Sequence, residues 1–561
     1  MGHRNLESRW FLQGYFKLCR CGDLPLAFAC SGSAARVYSR QLLTHLYGTS
    51  FSGELVRMVY ITASKLYDYI QCPHKVWRDI YGPEDEKILE PNPFVQLLWE
   101  KGSAYEKTVV ERLGSFLDLS EGSQEERIRK TVAAMERKVP LIYQGVLRDA
   151  DLLGVPDLLR LLPDGSYTPV DIKSGMAFEK SSDEEDTDDG KPKKHYAVQL
   201  ALYIEVLQKL GFKTDHSGFV FDIHGNEVEY RMDQPMGIRN KTTFWEFYLN
   251  TKEAVRVLLK NELQNNPALA GCCKLCPWYK SCKKWCVDSD DLTTIFYVGR
   301  KNRDMVNEDL GLYKASELSS LNIQEALSTK SKDKNFLKGI GESTLEKMVK
   351  RANILNVTKQ PVVNEKIAFP NVSYELFFDI EDDPTQEFVY MHGVYERHDG
   401  QERYIHFTAK ENTAMAEKMA WKEFWDYIER LPANDYAVYY YSHHEKTTYR
   451  KLQKEYPDVI SVDSLEAFFE NPNVIDLYKV VLSKTDWPVY SYSLKELAVY
   501  LGFKWRDETP SGALSIQWFN EYLKTNDDKQ LERILLYNED DCKATMVLKD
   551  GIERISRSSL V

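Results

Sequence analysis

The chain has no long hydrophobic run and no excess of positive charge. No stretch of about 18 or more apolar residues occurs in its 561 residues, so we expect no membrane-spanning helix and a cytoplasmic protein. The formal net charge is −12, which excludes a protein coated in lysine for holding nucleic acid. It does not exclude an enzyme that acts on nucleic acid, because metal-dependent sites need carboxylates and basic residues can be confined to a groove.

The sequence also lacks the phosphate-binding motif G-x₄-G-K-[S/T]. We therefore expect no ATP-driven motor in this chain. With 43% hydrophobic and 28% charged residues, the length predicts roughly three to four globular domains. Residues 1–57 show neither a clear period nor a motif, so we expect an N-terminal extension, with Met58 as the alternative natural start.

Cysteine is concentrated in one place. Five of the ten cysteines lie in residues 271–286, which read GCCKLCPWYKSCKKWC. In a long chain expected to be cytoplasmic, clustered thiols indicate metal binding more than disulfides. Cys72 stands about 200 residues upstream, where we expect the first core helix to end. The sequence thus offers one set of four thiolates, which comprises Cys72, Cys273, Cys276 and Cys282.

The spacing of these thiols bears on the metal that they bind. A zinc ribbon supplies two local Cys-x₂-Cys pairs, whereas this sequence has one such pair, a third nearby cysteine and one distant partner. This pattern favours a four-iron, four-sulfur (4Fe-4S) cluster, with zinc and unligated cysteines as the alternatives. Cys272 and Cys286 lie beside the set, and either could replace Cys273 or Cys282 as a ligand.

A pair of carboxylates and a lysine lie between the distant thiols. Residues 154–175, GVPDLLRLLPDGSYTPVDIKSG, predict two short strands joined by the turn PDGS. Asp157 falls on the first strand, and Asp171 and Lys173 fall on the second. Because residues two apart in a strand face the same side, this carboxylate and ammonium can converge on one phosphate. Taken alone, Asp-x-Lys is more often an exposed strand face.

Two amphipathic helices flank the predicted strands. Residues 98–113 form a helix pattern that carries Glu106, and residues 195–210 form another that carries Gln199 and Tyr203 one turn apart. The order of these features in residues 58–288 resembles the RecB-like nucleases of the PD-(D/E)XK superfamily. In particular it is similar to the iron–sulfur branch that includes the CRISPR-associated RecB-type exonucleases.

The resemblance implies a role for each matching residue. Glu106, Asp157 and Asp171 would bind Mg²⁺ or Mn²⁺, and Lys173 would orient the attacking water or steady the phosphate. Many relatives have histidine where this chain has Glu106; a carboxylate is a hard oxygen ligand and suits the same metals. The remaining two matching residues, Gln199 and Tyr203, would contact the DNA strand.

Residues 289–365 predict a helical linker. Within it, residues 334–352 read KNFLKGIGESTLEKMVKRA and have the Gly-Ile-Gly turn of a helix-hairpin-helix element. Between Lys330 and Arg351 there are seven basic and three acidic residues. A glycine turn lets backbone N–H groups approach a phosphate, which indicates a strand-binding role for Lys338, Gly339 and Gly341. A plain helical hairpin is the alternative.

Residues 366–561 carry a third set of acidic residues. A buried-looking strand at 373–384 contains Asp379-x-Glu381, and a predicted helix at 535–548 places Tyr537 and Asp541 one turn apart. This arrangement resembles the DEDD exonucleases of the RNase H-like fold. The resemblance implies that Asp379, Glu381 and Asp541 hold two metal ions and that Tyr537 orients the water.

The middle acid of that family is the weakest match. It is usually an aspartate in an Asn-x-x-x-Phe-Asp context, whereas the nearest match here offers Glu445, near the start of a predicted helix. We expect Asp476 to be a structural residue and Asp540 to be an exposed neighbour of the site.

The sequence as a whole predicts an α/β multidomain protein. It combines a PD-(D/E)XK nuclease core with an iron–sulfur cluster, a helix-hairpin-helix linker and an RNase H-like mixed-sheet domain. The expected function is metal-dependent hydrolysis of phosphodiester bonds by an exonuclease on DNA, with RNA as the other substrate. The pathway stays open between DNA repair, CRISPR adaptation and phage defence. The alternative function is a nucleic-acid-binding scaffold in which one or both sites are inactive.

Overall fold

The computed structural model describes residues 47–49, 55–57, 59–90, 92–179, 190–237, 240–263 and 265–558. The chain divides into two compact units, residues 1–60 and residues 61–561. In the first unit, strands β1 (Tyr47–Thr49) and β2 (Leu55–Arg57) form an antiparallel pair. The rest of the predicted extension at 1–57, and the alternative start at Met58, lie outside the described residues.

The second unit begins with a mixed α/β region at residues 61–288. Its helices are α1 (Ala63–Gln71), α2 (Pro73–Tyr81), α3 (Pro93–Arg112), α4 (Gln124–Glu136), α5 (Lys194–Lys209), α6 (Phe244–Leu259) and α7 (Tyr279–Asp288). Its strands are β3 (Ile61–Thr62), β4 (Leu117–Asp118), β5 (Leu141–Tyr143), β6 (Leu147–Asp149), β7 (Leu152–Gly154), β8 (Leu158–Leu161), β9 (Tyr167–Ile172), β10 (Phe178–Glu179), β11 (Lys191–Pro192), β12 (Ser217–Phe221) and β13 (Glu227–Arg231).

Six of these strands form one mixed sheet in the order β13-β12-β9-β8-β5-β4. The central strand β9 is parallel to β12 and antiparallel to β8. All six residues of β9 are buried, as expected for a strand covered on both faces. Helix α5 packs against β9 and β12, and its long apolar run explains why it lies in the core and not at the surface.

Residues 289–365 form a helical region with its own hydrophobic core. Its helices are α8 (Arg300–Leu310), α9 (Ala315–Leu318), α10 (Ile323–Lys332) and α11 (Glu342–Asn353), and its strand is β14 (Val362–Val363). The core includes Leu318 and Leu345 from the helices together with Leu337 and Ile340 from the turn between α10 and α11.

Residues 366–558 form a second mixed α/β region. Its strands are β15 (Tyr374–Asp383), β16 (Phe388–His398), β17 (Gln401–Thr408), β18 (Tyr436–Tyr440), β19 (Val474–Asp476) and β20 (Thr485–Asp486). Its helices are α12 (Ala414–Glu429), α13 (His444–Glu455), α14 (Val462–Glu470), α15 (Leu477–Lys484), α16 (Leu494–Tyr500), α17 (Gly512–Thr525) and α18 (Asp528–Ser558). The five-stranded sheet has the order β17-β16-β15-β18-β19, and β20 pairs with β14.

The central strand β15 is antiparallel to β16 and parallel to β18. Alternate residues of β15 face opposite sides of the sheet. Leu376, Phe378 and Ile380 pack with aromatic residues of α12, whereas Phe377 faces the other way and packs with Cys542 of α18. This alternation puts Asp379 and Glu381, which share the side of Phe377, on the face of the sheet that α18 covers. No helix in the described part of the chain is long and apolar enough to cross a membrane.

Candidate active sites

Three acidic side chains meet between β15 and α18. Asp379 and Glu381 lie two residues apart on β15 and therefore point to the same side. Asp541 comes from α18, which packs against that strand. One carboxylate oxygen from each of the three residues lies within 4.8 Å of the others. Such a group can hold a divalent metal ion, because Mg²⁺ and Mn²⁺ prefer oxygen ligands.

A buried amide fixes two of these carboxylates. Asn538 Nδ2 donates to Asp379 Oδ2 at 2.9 Å and to Glu381 Oε1 at 3.2 Å. Its Oδ1 accepts from the Tyr404 hydroxyl at 2.8 Å. A Cβ atom at position 393 would lie 1.6 Å from Asn538 Oδ1, so Gly393 provides the space that Asn538 occupies. Asn538 thereby sets the orientation of both carboxylates.

The third carboxylate is held by Trp505 and lies beside Tyr537. Trp505 Nε1 donates to Asp541 Oδ1 at 2.6 Å, and Tyr537 lies one helical turn before Asp541 on α18. Lys495 Nζ in turn donates to the Tyr537 hydroxyl at 3.1 Å. The predicted pair Tyr537 and Asp541 is therefore brought together, within a network that also includes Trp505 and Lys495.

The cluster has more negative than positive charge. Burial raises the pKa of Glu381 to about 8, and the charge of Asp541 adds to the increase. Burial and the charges of Asp541 and Glu381 raise the pKa of Asp379 well above its usual range. Burial also raises the pKa of Asp541, although the ammonium of Lys495 opposes the increase. A divalent cation would supply the missing positive charge and favour the ionised carboxylates.

Glu445 lies near this cluster but outside the group of three. It occupies the first turn of α13, and its side chain is buried. Its Oε2 has no hydrogen-bond partner, and burial raises its pKa to about 8. Its charge contributes to the raised pKa of Asp379, which places the two carboxylates near each other. A buried carboxylate oxygen without a partner fits a ligand position for a second metal ion.

Asp476 and Asp540, two acidic residues of this region that are not predicted ligands, both have contacts within the fold. Asp476 accepts hydrogen bonds from the backbone of Tyr478 and Lys479, so it caps helix α15, as expected for a structural residue. The expectation that Asp540 is exposed is wrong. Asp540 is 3% exposed because Arg506 covers it, with Nε 2.8 Å from Oδ1 and the backbone N–H 2.7 Å from Oδ2.

The acidic residues of the first region also lie together. Gln144 Nε2 donates to Glu106 Oε1 at 3.0 Å and to Asp157 Oδ1 at 3.2 Å, so this amide bridges the two carboxylates. Asp157 Oδ2 accepts from the backbone N–H of Ile172 at 2.7 Å. Asp157 therefore lies beside the end of β9, where Asp171 is located.

Asp157 and Lys173 each lie one residue outside the strand that is predicted to carry them. Asp157 directly precedes β8, and Lys173 directly follows β9, where its N–H donates to the Phe221 carbonyl. Lys173 nevertheless reaches back to Asp171, with Nζ 2.8 Å from Oδ2. The expected convergence of carboxylate and ammonium is therefore present, although the lysine lies beyond the strand.

Burial and charge act together in this group. Burial raises the pKa of Asp157 to about 7, and the charge of Asp171 adds to the increase. Burial acts to lower the pKa of Lys173, but the charges of Asp171 and Asp157 outweigh it and raise this pKa. The lysine therefore stays charged beside the two carboxylates, where it can face a phosphate.

The two residues expected to contact DNA differ in their surroundings. Gln199 on α5 has a buried Oε1 atom without a hydrogen-bond partner. Tyr203 is 4% exposed, its ring lies against Gly154, and its hydroxyl donates to the Val155 carbonyl at 3.4 Å. The prediction that Tyr203 contacts the DNA strand is corrected by this geometry, because the segment that leads to Asp157 covers the tyrosine ring.

The structure brings the distant cysteine to the cysteine-rich segment. Cys72 ends helix α1, as predicted. Burial raises the pKa of Cys276 to about 11, and the neighbouring thiols of Cys72 and Cys273 add to the increase. Burial raises the pKa of Cys282 to about 12, and the thiols of Cys276, Cys72 and Cys273 contribute. The four predicted ligands are therefore neighbours in space.

The two alternative cysteines also lie nearby. The Cys272 thiol contacts the Gln71 carbonyl at 3.4 Å, and its pKa is influenced by Cys273, Cys72 and Cys276. Cys286 is fully buried, and the Thr293 hydroxyl lies 3.9 Å from its sulfur. The cysteines of the described chain are free, so none of them is lost to a disulfide.

The glycine turn between α10 and α11 is exposed. Lys338, Gly339 and Gly341 are exposed, and Gly339 adopts a φ of 92°, which favours glycine. Gly341 precedes α11 without a side-chain cap, so the first N–H groups of that helix lie beside the turn. Lys330 is not available to a ligand there, because its ammonium donates to the carbonyls of Phe336 and Leu337.

Comparison with known proteins assigns the C-terminal region. Residues 376–552 match the family model RNase_H_2, which is described as RNase_H superfamily. No curated protein and no solved structure matches the chain. The chain therefore contains an RNase H-like domain, which indicates a nuclease-like role in nucleic acid processing that depends on divalent metal ions.

Proposed function

We propose that this protein is a divalent-metal-dependent exonuclease that hydrolyses phosphodiester bonds in DNA. The observation that carries the proposal is the close approach of Asp379, Glu381 and Asp541 inside the RNase H-like domain. Three carboxylates, of which Glu381 and Asp541 are buried and Asp379 is half-buried, lie near one cation, Lys495, and form an arrangement that is stabilised by metal binding and is otherwise costly.

In the RNase H-like site, Asp379, Glu381 and Asp541 would hold one metal ion, and Glu445 would contribute to a second. Two bound ions supply a clamp on the attacking and leaving oxygens of a phosphodiester. The chain's own contribution is the fixed position of its ligands, which Asn538 and Trp505 provide. The Tyr537 hydroxyl, at the edge of the ligand group, orients the attacking water.

A second active site lies in residues 58–288, which we propose form a PD-(D/E)XK nuclease. Glu106, Asp157 and Asp171 would hold Mg²⁺ or Mn²⁺, and the Gln144 bridge supports this role because it aligns two of the three carboxylates. Lys173 would contact the scissile phosphate or orient the water. Gln199 has a buried side-chain oxygen without a hydrogen-bond partner and would contact the DNA strand.

We also propose that Cys72, Cys273, Cys276 and Cys282 hold a 4Fe-4S cluster. The nearness of these four thiols to one another supports a shared metal site. One local Cys-x₂-Cys pair, a third nearby cysteine and one distant partner favour iron over zinc, because a zinc ribbon supplies two local pairs.

The glycine turn within residues 289–365 would guide the DNA strand. Lys338, Gly339 and Gly341 present an exposed ammonium and backbone N–H groups, which suit phosphate contacts without base readout. The proposed domain bounds are residues 58–288, 289–365 and 366–561. Strand separation on duplex DNA would need a helicase from another chain.

A nuclease assay on the full chain tests this function. The substrates are end-labelled single- and double-stranded DNA and RNA, with Mg²⁺, Mn²⁺ or EDTA. We expect metal-dependent release of mononucleotides from DNA, and the distribution of product lengths separates an exonuclease from an endonuclease. Lys173→Ala should remove the contribution of the first site, whereas Asp233→Ala, at an exposed carboxylate of the same region, should not. Binding without cleavage of any substrate would favour the scaffold.

A further inference from the structure

Lys495 is a charged residue of the RNase H-like site that the sequence patterns do not single out. It is the second residue of α16, directly after the helix begins at Leu494. Helix α16 packs against α18, which carries Tyr537 and Asp541. This packing directs a flexible four-carbon side chain into the space beside the carboxylate cluster.

The ammonium of Lys495 has two defined hydrogen bonds. Nζ donates to the backbone carbonyl of Pro510 at 2.6 Å and to the Tyr537 hydroxyl at 3.1 Å. It also lies 4.9 Å from the centroid of the Tyr537 ring. The Pro510 carbonyl gives the ammonium a second partner besides the tyrosine, so the lysine is held and not merely nearby.

Lys495 fixes one side of the Tyr537 hydroxyl group. The tyrosine oxygen accepts from Lys495 Nζ, and burial and the charge of Asp541 raise the pKa of Tyr537, which places the hydroxyl near that carboxylate. A hydroxyl group has one proton and two lone pairs. With one lone pair occupied by Lys495, the proton and the second lone pair are left for a water molecule at the carboxylate cluster.

We propose that Lys495 is a positioning residue that acts through Tyr537. It holds the tyrosine hydroxyl in the direction in which this hydroxyl can orient the attacking water. The inference rests on the proposed nuclease function of the RNase H-like site and deepens it. The obvious competing role is electrostatic: the ammonium would only offset the charge of Asp379, Glu381 and Asp541, with no need for the tyrosine.

A double-mutant cycle separates these roles. The full chain carries Asp171→Ala to silence the first site, and Lys495→Met, Tyr537→Phe and the double variant are compared by single-turnover nucleotide release at saturating Mn²⁺. We expect each single change to slow release about 10- to 100-fold, the range for a lost hydrogen bond to a charged group. The double variant should be no slower than the slower single variant, within about threefold.

Two further variants keep the test independent of folding. Lys495→Arg retains a cation that can donate to Tyr537, so it should recover part of the rate that Lys495→Met loses. Lys524→Met removes an exposed lysine of α17 and should leave the rate unchanged. A Lys495→Met chain that fails to fold would lack a thermal unfolding transition. In that case the comparison is between the rate of Lys495→Arg and the rate of the double variant Lys495→Arg with Tyr537→Phe.

The outcomes are distinct. Multiplicative losses in the double variant would show that Lys495 acts without Tyr537 and would overturn the inference. A rate of Lys495→Met equal to that of the Asp171→Ala parent would do the same while leaving the nuclease function intact. If the parent itself releases no nucleotides, the proposed function of this site is refuted and the inference falls with it.

Discussion

At the scale of single residues, the RNase H-like site depends on uncharged side chains as much as on its ligands. Asn538 is fully buried and bridges Asp379 and Glu381 of β15, and Gly393 leaves the space for it. A neutral amide can orient two carboxylates without competing with a metal ion for their charge. The precise placement of ligands therefore relies on a residue that binds no metal itself.

We predict that Asn538→Asp slows nucleotide release about 10- to 100-fold, as loss of a partner that orients metal ligands does. The change preserves the shape of the side chain, but it replaces an N–H donor by an oxygen and adds a fourth negative charge. The measurement is single-turnover release together with Mn²⁺ affinity. Asn526→Asp, in the exposed turn after α17, is the matched control. Unchanged Mn²⁺ affinity and rate in Asn538→Asp would show that the amide does not orient the ligands.

The raised pKa values predict how stability depends on pH. The pKa of Asp157 is raised to about 7, and those of Glu381 and Glu445 are raised to about 8. An acid with a higher pKa in the folded protein binds more protons when folded, so stability falls as pH rises from about 4, its unfolded pKa, through the folded pKa. Bound metal favours the ionised form and opposes this loss.

We therefore expect the melting temperature in EDTA to fall between about pH 5 and pH 8 by more than it does with Mn²⁺. Thermal unfolding at several pH values measures both curves. In Glu381→Gln, which cannot ionise at that position, the fall in EDTA should be smaller than in the unmodified chain. A difference between the EDTA and Mn²⁺ curves that stays constant over this pH range would contradict the prediction.

The sequence predicts the ligands of the RNase H-like site better than their supports. Asp379 and Glu381 are recognisable because their spacing matches the period of a strand, and Tyr537 and Asp541 because theirs matches a helical turn. Trp505 and Lys495 come from other segments and are brought in by tertiary packing, which local spacing does not reveal. Asn538 follows Tyr537 directly, so its position next to the motif was an available signal.

At the scale of elements, helix α7 connects the cysteine-rich segment to the RNase H-like domain. Lys283 on α7 forms an ion pair with Glu496 on α16, with Nζ 3.2 Å from Oε1. Glu496 is the immediate neighbour of Lys495 on that helix. Contacts that hold the cysteine-rich segment in place therefore also support helix α16, which carries the proposed positioning residue Lys495.

We predict that Cys72→Ser reduces bound iron and lowers the melting temperature, because this residue joins α1 to a segment 200 residues away and metal binding contributes folding free energy. Iron and sulfide analysis and visible absorption of anaerobically purified protein measure the cluster. Cys286→Ser is the comparison, and retained iron in that variant would leave Cys286 outside the ligand set. Stoichiometric zinc without iron or sulfide in the unmodified chain would refute the cluster.

Local elements were predictable where turns and periods are clear. The strand predicted at 373–384 is β15 at Tyr374–Asp383, and the helix predicted near Glu445 begins at His444. The helix predicted at 535–548 is much longer, because Asp528–Ser558 continues beyond it and buries Leu548 and Ile552 in a cluster with Val481 and Leu497. The order of strands in the first sheet was not predictable, because parallel pairing of β9 with β12 joins segments separated by a helix.

At the scale of the whole molecule, helix α3 lies against both candidate sites. Glu106 near its C-terminal end meets Gln144 and the first carboxylate group, whereas Phe94 and Leu97 near its N-terminal end pack with residues of the RNase H-like domain. From Leu97 to Glu106 the helix rises only about 14 Å. The sequence predicts two separate sites, and their connection through one helix appears only in the tertiary structure.

The central claim is that the carboxylate cluster of the RNase H-like domain cleaves nucleic acid with a divalent metal. The most direct test is single-turnover nucleotide release from labelled single-stranded DNA by the full chain with Asp171→Ala, in Mn²⁺ and in EDTA. We expect release in Mn²⁺, none in EDTA, and a nearly complete loss when Asp379→Ala is added, whereas Asp399→Ala, at an exposed carboxylate, leaves the rate unchanged. Equal release with and without Asp379→Ala would contradict the account.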